Sequence, residues 1–335
     1  MKYFVTGATG FLGGRVARQL LAAGHQVITV ARTPEKAQDL AARGVAVYRG
    51  DITEKESLCT PMIDVDGVFH IAGWYKVDAR DKRPAIPINV DGTRYVLELM
   101  RELEIPKGVY TSTLAVFSDT HGRVPDETYR DDGPWLTEYD YSKWLAHDQV
   151  ALPMIEAGLP LVIVQPGVIY GPGDTSLIHQ TWVSYLRRRL PVAAQRTAFS
   201  WGHVDDTARG HFLAMERGVS GQTYIIAGPV HTLIEALGIA EWITGIPAPR
   251  IHPSPGLIRV MAARMRPIEA LIALPESYTP EGLRTIAGVT YLGSNAKAKR
   301  ALGFTVRSLE EGLRETLASE MLDTPLGPRP RGFSH

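Results

Sequence analysis

With 335 residues, and 36 basic side chains against 36 acidic ones, the chain is long enough to bury its own core and has no net charge. A charge balance of this kind provides no overall field to gather a phosphate backbone, which argues against a nucleic-acid-binding protein. The lone cysteine, Cys59, rules out an internal disulfide and an all-cysteine metal site, and it points to a reducing compartment.

The first residues, Met1-Lys2-Tyr3-Phe4-Val5, run straight into a glycine motif with no room for a signal peptide, so a cytoplasmic protein is expected. Short apolar runs follow at Tyr3 to Thr6, Val27 to Ala31, Val45 to Tyr48, Val68 to Ala72, Gly108 to Ser112 and Leu161 to Gln165. Runs without polar alternation are strands buried on both faces, and the helical patterns between them make neighbouring strands parallel. Leu12, Val16, Leu20 and Ala23 form one helical stripe, with Gly24 placed to cap it, and a similar pattern returns from Val90 to Leu103. After Gln165, glycine and proline become frequent, as in Ile246-Pro247-Ala248-Pro249 and Pro253-Ser254-Pro255-Gly256, which predicts a smaller and less regular second domain. The stretch from Leu257 to Leu274 comes nearest to a membrane span, but Arg259, Arg264, Arg266, Pro267 and Glu269 interrupt it. A helix pair of the second domain is expected there, with a helix lying on a membrane surface as the alternative.

Thr6-Gly7-Ala8-Thr9-Gly10-Phe11-Leu12-Gly13 lies between the first strand and the first helical stripe. In that context glycines let backbone N–H groups approach a pyrophosphate, while the helix start offers unpaired donors and its positive dipole end. Nineteen residues after Gly13 stands Arg32, with Lys36 one turn further on. An acidic residue here binds the ribose 2′-hydroxyl of NAD, whereas an arginine accommodates the 2′-phosphate of NADP, so NADP(H) is expected rather than NAD(H). Further on, Tyr139-Asp140-Tyr141-Ser142-Lys143 sets a tyrosine and a lysine four apart, on one helix face, where an ammonium would favour the phenolate for proton exchange. Val109-Tyr110-Thr111-Ser112-Thr113 ends a buried strand in hydroxyl groups, at the edge where open α/β sheets bind ligands.

Together these motifs resemble the short-chain dehydrogenase/reductase superfamily, whose first turn reads TGxxGxxG, and within it the extended branch known as the NAD-dependent epimerase/dehydratase family. Asn89-Val90-Asp91-Gly92-Thr93, Gln165-Pro166-Gly167-Val168-Ile169-Tyr170-Gly171-Pro172-Gly173-Asp174 and Gly202-His203-Val204-Asp205-Asp206 resemble that branch's NVxGTxN, RPxxxYGPGD and HVDD segments. The resemblance runs from residue 1 to about 318 and is nearest to the dihydroflavonol-4-reductase-like members. It implies an α/β fold: a Rossmann-type doubly wound parallel sheet from residues 1–165 plus roughly 203–228, and a smaller discontinuous C-terminal substrate domain from 166–202 and 229–318. Beyond it, the end of the chain is rich in proline and glycine, which predicts a flexible tail at 319–335. The resemblance implies Thr113, Tyr139 and Lys143 as the catalytic set, with Ser112 and Thr111 as register alternatives for the hydroxyl. Gly7, Thr9, Gly10, Phe11, Leu12, Gly13, Arg32, Lys36, Asp51, Ile52, Ala72, Gly73, Thr111, Tyr139, Lys143, Pro166, Gly167 and Val168 are implied as the cofactor surface. Asn89 and His203 are expected in structural roles, at a helix start and in domain packing. A homodimer through the helices near Val90 to Leu103 and Thr137 to Ala157 is also implied, and no metal.

Two residues depart from the branch's pattern. Gln165 replaces the usual arginine or asparagine, and Phe199 stands where nucleotide-sugar epimerases carry an arginine for the substrate diphosphate. Trp74, Tyr75, Trp135, Trp182, Phe199 and Trp201 are expected to line a site for a small aromatic or alicyclic carbonyl compound or alcohol. The reading is thus an NADP(H)-dependent oxidoreductase with Tyr139 as general acid/base. Its alternatives are a nucleotide-sugar epimerase or dehydratase, with Arg187, Arg188, Arg189 and Arg196 as substitute cations, and a non-catalytic dinucleotide sensor.

Overall fold

The computed structural model describes residues 1–75, 81–130, 133–269 and 279–323. In chain order the first half reads β1 (Lys2–Thr6), α1 (Phe11–Ala22), β2 (Gln26–Ala31), α2 (Gln38–Ala42), β3 (Ala46–Arg49), α3 (Lys55–Met62), β4 (Gly67–His70), α4 (Gly92–Glu102), β5 (Gly108–Thr111), α5 (Glu138–Trp144) and α6 (Leu152–Glu156). The second half reads β6 (Leu161–Pro166), β7 (Val168–Tyr170), α7 (Leu177–Leu186), β8 (Ala198–His203), α8 (Val204–Arg217), β9 (Thr223–Ile226), β10 (Val230–Thr232), α9 (Leu233–Thr244), α10 (Pro255–Glu269), α11 (Pro280–Thr285), β11 (Thr290–Tyr291), α12 (Ala296–Leu302) and α13 (Leu309–Asp323).

Seven strands pair side by side in the order β3-β2-β1-β4-β5-β6-β9, every neighbour parallel. Alternate residues feed opposite layers, which is why these strands read as unbroken apolar runs. Tyr3 and Val5 of β1, with Val162 and Val164 of β6, pack under α1 and α8. Phe4, Leu161 and Ile163 pack under α3, α4 and the α5–α6 helix. The strand order reverses between β1 and β4, and a reversal of this kind opens a crevice at the carboxyl ends of the strands.

A second sheet is built around β8, which pairs with β10, β11 and β7. Its core joins Trp182 and Tyr185 of α7, Trp201, Leu237 of α9, and Leu313 and Leu317 of α13. The chain leaves the large sheet after β6, returns for α8 and β9, then leaves again. The expected doubly wound parallel sheet is therefore present. The tail needs correction. α13 continues through Asp323, and the buried Glu320 accepts from His179 at 2.9 Å, so 319–323 belong to the packed structure. Residues 324–335, and 270–274 at the end of the Leu257 to Leu274 stretch, lie outside the described residues. Among the described residues no helix is long and apolar enough to cross a membrane.

Candidate active site

The glycine turn and the loop after β4 meet at the strand-order reversal. Gly7 has φ +71°, and a Cβ there would stand 2.9 Å from the Ala72 backbone. A Cβ on Gly13 would stand 2.2 Å from the Gly7 carbonyl oxygen, so only glycine lets α1 start this close to β1. Thr9 and Gly10 are exposed, Phe11 is partly exposed and Leu12 is buried. Helix α1 begins at Gly10 with neither a side-chain cap nor an acidic residue in its first turn. Its leading N–H donors and positive end therefore suit a phosphate.

Buried hydroxyls and neutral imidazoles hold this edge of the sheet. Thr6 donates to His70 Nδ1 at 2.9 Å and accepts from the Ile71 and Ala72 N–H groups, both at 3.0 Å. His70 Nε2 in turn meets Thr93 at 3.0 Å. Asn89 is not a helix cap. It lies inside a wide π turn, Pro87–Asp91, and its amide accepts from the Trp74 N–H at 2.7 Å and donates to the Trp74 carbonyl and to Ser142 Oγ, both at 2.9 Å. It thus ties the loop after β4 to the helix that carries Tyr139 and Lys143. His203, by contrast, does cap α8, accepting from the Asp205 N–H at 3.3 Å. It lies near Asp205 and Glu315, but Arg15 stands 3.5 Å from that aspartate and Arg307 2.7 Å from that glutamate, leaving little uncompensated charge for a cation.

Arg32 follows β2 with its side chain 77% exposed and lies 4.0 Å from Asp51. Asp51 accepts from the Thr53 N–H and hydroxyl, both at 3.0 Å. Ile52 is buried, packed where a Gly92 Cβ would touch it. Lys36 lies in the turn Pro34–Ala37, its side chain outside what is described. At the other side of the crevice Gly167 passes so close to β8 that a Cβ would meet the Ser200 carbonyl oxygen at 2.0 Å. Val168 is partly exposed, and beside Pro166 the buried Gln165 Oε1 has no hydrogen-bond partner among the described residues. An open helix start, a side-chain-free turn and an unpaired buried acceptor together fit a dinucleotide.

Of the three hydroxyls ending β5, two are engaged elsewhere. Thr111 Oγ1 meets His211 Nε2 at 2.9 Å, and Ser112 Oγ meets His147 Nδ1 at 2.8 Å. Thr113, partly exposed, is the one that hydrogen-bonds the Tyr139 phenol. Tyr141 is not in this group; its ring stacks on Trp144 and is 39% exposed. The expected effect of Lys143 on Tyr139 needs correction. The Lys143 ammonium donates to the Thr111 carbonyl at 2.8 Å and to Tyr110 Oη at 3.1 Å, and it lies 4.8 Å from the centre of the Tyr110 ring. Burial pushes Tyr139 up to about 12, opposed by the Thr113 hydrogen bond and reinforced by Asp140. Burial likewise brings Lys143 down to about 7. In the chain alone the phenol is thus held protonated.

No motif spacing in the sequence singles out Asp140. It is buried, accepts from Tyr291 Oη at 3.0 Å across the two sheets, and is raised to about 7, chiefly by burial. Tyr291 stacks on Phe199 at 6.3 Å, so Phe199 connects through Tyr291 and Asp140 to the helix of Tyr139. Buried Glu281 pairs with Lys82 and adds its field to Asp140. The expected aromatic lining divides in two. Trp182 and Trp201 are 1% and 0% exposed in the core of the second sheet, and Trp135 packs on Trp144. Trp74 is buried, while Gly73 and Tyr75 are exposed, and Tyr75 Oη meets Thr175 Oγ1 at 3.1 Å.

Comparison with known proteins agrees with this arrangement. The chain is 30% identical over 348 residues to a 2-alkyl-3-oxoalkanoate reductase of Stenotrophomonas maltophilia, covering 95% of this chain and 99% of that protein. It is 30% identical over 275 residues to sterol demethylase protein B of Methylococcus capsulatus, covering 80% and 82%. The crystal structure of UDP-glucuronic acid 4-epimerase from Bacillus cereus in complex with UDP-glucuronic acid and NAD has the same fold, with a TM-score of 0.74 at 20% identity, covering 97% of this chain and all of that one. The sequence profile of the NAD dependent epimerase/dehydratase family matches residues 3–227, so the superfamily and branch expected from the motifs are borne out, and the chain belongs to that family.

Proposed function

We propose that the protein is an NADP(H)-dependent oxidoreductase that interconverts a ketone and a secondary alcohol, with Tyr139 as the proton donor. The observation that carries this reading is the largely buried Tyr139 phenol, kept protonated beside the Thr113 hydroxyl at the carboxyl edge of the sheet. When bound, the nicotinamide supplies hydride to the carbonyl carbon. Tyr139 gives its proton to the carbonyl oxygen, and Thr113 hydrogen-bonds the same oxygen and orients it. Lys143, anchored at Thr111 and Tyr110, holds the ribose next to the nicotinamide, and Pro166, Gly167 and Val168 face the carboxamide. The glycine turn takes the pyrophosphate. Arg32 and Lys36 take the 2′-phosphate, with Asp51, Ile52, Ala72 and Gly73 along the adenosine. The name of the Stenotrophomonas relative supports reduction of a 3-oxo acid. Phe199, buried against Tyr291, supports a substrate without a diphosphate, because burying such a group without a cation is costly. A cytoplasmic homodimer completes the reading.

The test is turnover of purified protein with NADPH or NADH against 2-alkyl-3-oxo acids and alicyclic and aromatic ketones, alongside calorimetric titration of UDP-sugars in the presence of NADP. Net NADPH consumption with no UDP-sugar binding is expected. Micromolar UDP-sugar binding and conversion without net cofactor use would assign the epimerase chemistry instead.

A further inference from the structure

We infer that the face formed by α10 and the strand-like segment 192–196 docks on a bilayer surface carrying anionic phospholipid. One side of α10 is committed to the protein, since Ile258 and Ala262 are 4% and 2% exposed against Ala194, Leu283 and Ala287. The other side has no partner among the described residues, with Leu257, Val260 and Met261 each about half exposed. This apolar patch extends beyond the helix. Val192 pairs with Ile251, Ala193 N–H donates to the Ile251 carbonyl at 3.1 Å, and Gln195 N–H donates to the Pro253 carbonyl at 3.2 Å. Ile251 and Val192, at 64% and 40% exposed, therefore adjoin the start of α10. Aliphatic side chains gathered in this way mark an interaction surface, whereas single exposed ones do not.

Charge selects the occupant. The chain as a whole is balanced at 36 against 36, yet neither 186–197 nor 245–268 contains an aspartate or glutamate. Arg187, Arg188, Arg189 and Arg196 are exposed in the first segment, and Arg259 and Arg264 in the second. Arg250 is paired, at 2.8 Å from Glu241. An amphipathic helix with exposed aliphatics flanked by arginines suits the boundary between acyl chains and anionic headgroups. A second copy of the chain would bring like charges together, and a polynucleotide would leave the aliphatic side chains without a partner. The inference rests on the reductase reading only for its purpose, which is access to a lipophilic carbonyl compound dissolved in the membrane.

The experiment is co-sedimentation of the full chain with vesicles of phosphatidylcholine alone, or with about a quarter phosphatidylglycerol, at low and high salt. Binding at least about tenfold stronger to the anionic vesicles, and weakened by salt, is expected. Leu257→Glu with Val260→Glu, and separately Arg259→Glu with Arg264→Glu, should abolish that binding while melting temperature and turnover of a water-soluble ketone stay unchanged. Because sedimentation requires no turnover, its outcome is separate from that of the reductase reading. Absence of vesicle binding, equal binding to neutral and anionic vesicles, binding to an oligonucleotide alone, or a dimer dissolved by Leu257→Glu would each overturn the inference.

Discussion

Tyr139 and Lys143 lie one helical turn apart, yet their side chains make different contacts: the phenol meets Thr113, and the ammonium meets Thr111 and Tyr110. With Tyr139 pushed up to about 12, the protonated form that carbonyl reduction needs dominates at neutral pH, whereas alcohol oxidation needs the scarce phenolate. Tyr139 should accordingly impose no pH dependence on reduction across neutral pH, where any change reports Lys143 or Asp140, while oxidation climbs through the alkaline range, as initial rates in both directions would reveal. Tyr139→Phe should lower kcat by about a hundredfold or more and leave cofactor Kd nearly unchanged. Arg32 poses a separate question, because its guanidinium is largely exposed and lies 4.0 Å from Asp51. Arg32→Asp should weaken NADPH binding by about 1–2 kcal/mol and leave NADH binding equal or better, as fluorescence titration would measure. A wild-type preference for NADH would contradict the assignment of Arg32.

At the scale of elements, the turn between β1 and α1 separates a packing role from a binding role. A Cβ on Gly13 collides with the Gly7 backbone, whereas one on Gly10 meets only the Gly7 carbonyl oxygen, at 3.2 Å. Gly13→Ala should therefore destabilise the protein by about 1–3 kcal/mol or more, because α1 must move away from the sheet. Gly10→Ala should nearly preserve the melting temperature and chiefly reduce cofactor affinity, since its cost falls where the N–H groups face outward. Thermal melts paired with cofactor titrations distinguish the two, and equal loss of stability in both variants would refute the division.

Across the whole molecule, the buried titratable groups predict how stability depends on pH. His70 and His147 are brought down to about 3 and His211 to about 4 by burial, His70 paired with Thr6 at the end of β1, and His147 and His211 with Ser112 and Thr111 at the end of β5. All three have folded values below the ordinary 6.5, so the unfolded chain binds more protons and stability is lost as pH falls from about 6.5 towards 4. Asp140 works the other way. Its folded value of about 7 exceeds the ordinary 3.8, so its contribution is full at low pH and is lost as pH rises through 7. Three groups outweigh one, and urea midpoints should fall between pH 7 and 5. Asp140→Asn should steepen that fall and raise stability above pH 7, while Tyr291→Phe should loosen the link between the two sheets and raise KM more than it lowers kcat.

The amino-acid sequence by itself determined the parallel sheet, the glycine turn and the candidacy of Thr113, Tyr139 and Lys143. Those features are written in local periodicity and short spacings: apolar runs buried on two faces, three glycines within seven residues, and two polar groups four apart. Thr113 is the hydroxyl beside Tyr139 because β5 ends by directing Thr111 to His211 and Ser112 to His147, partners 100 and 35 residues away. No spacing rule reaches that far. Tertiary packing likewise decided that Lys143 turns to Tyr110, that Tyr291 reaches Asp140 across 151 positions, and that Trp182 and Trp201 fill a core. It also brought segment 193–195, which Arg196 follows, beside the residues that lead into α10, since the backbone bonds between residues 193–195 and 251–253 form only once two segments distant in sequence pack together. Local conformation follows from neighbours along the chain, whereas the field and contacts around each side chain come from whatever the fold places next to it.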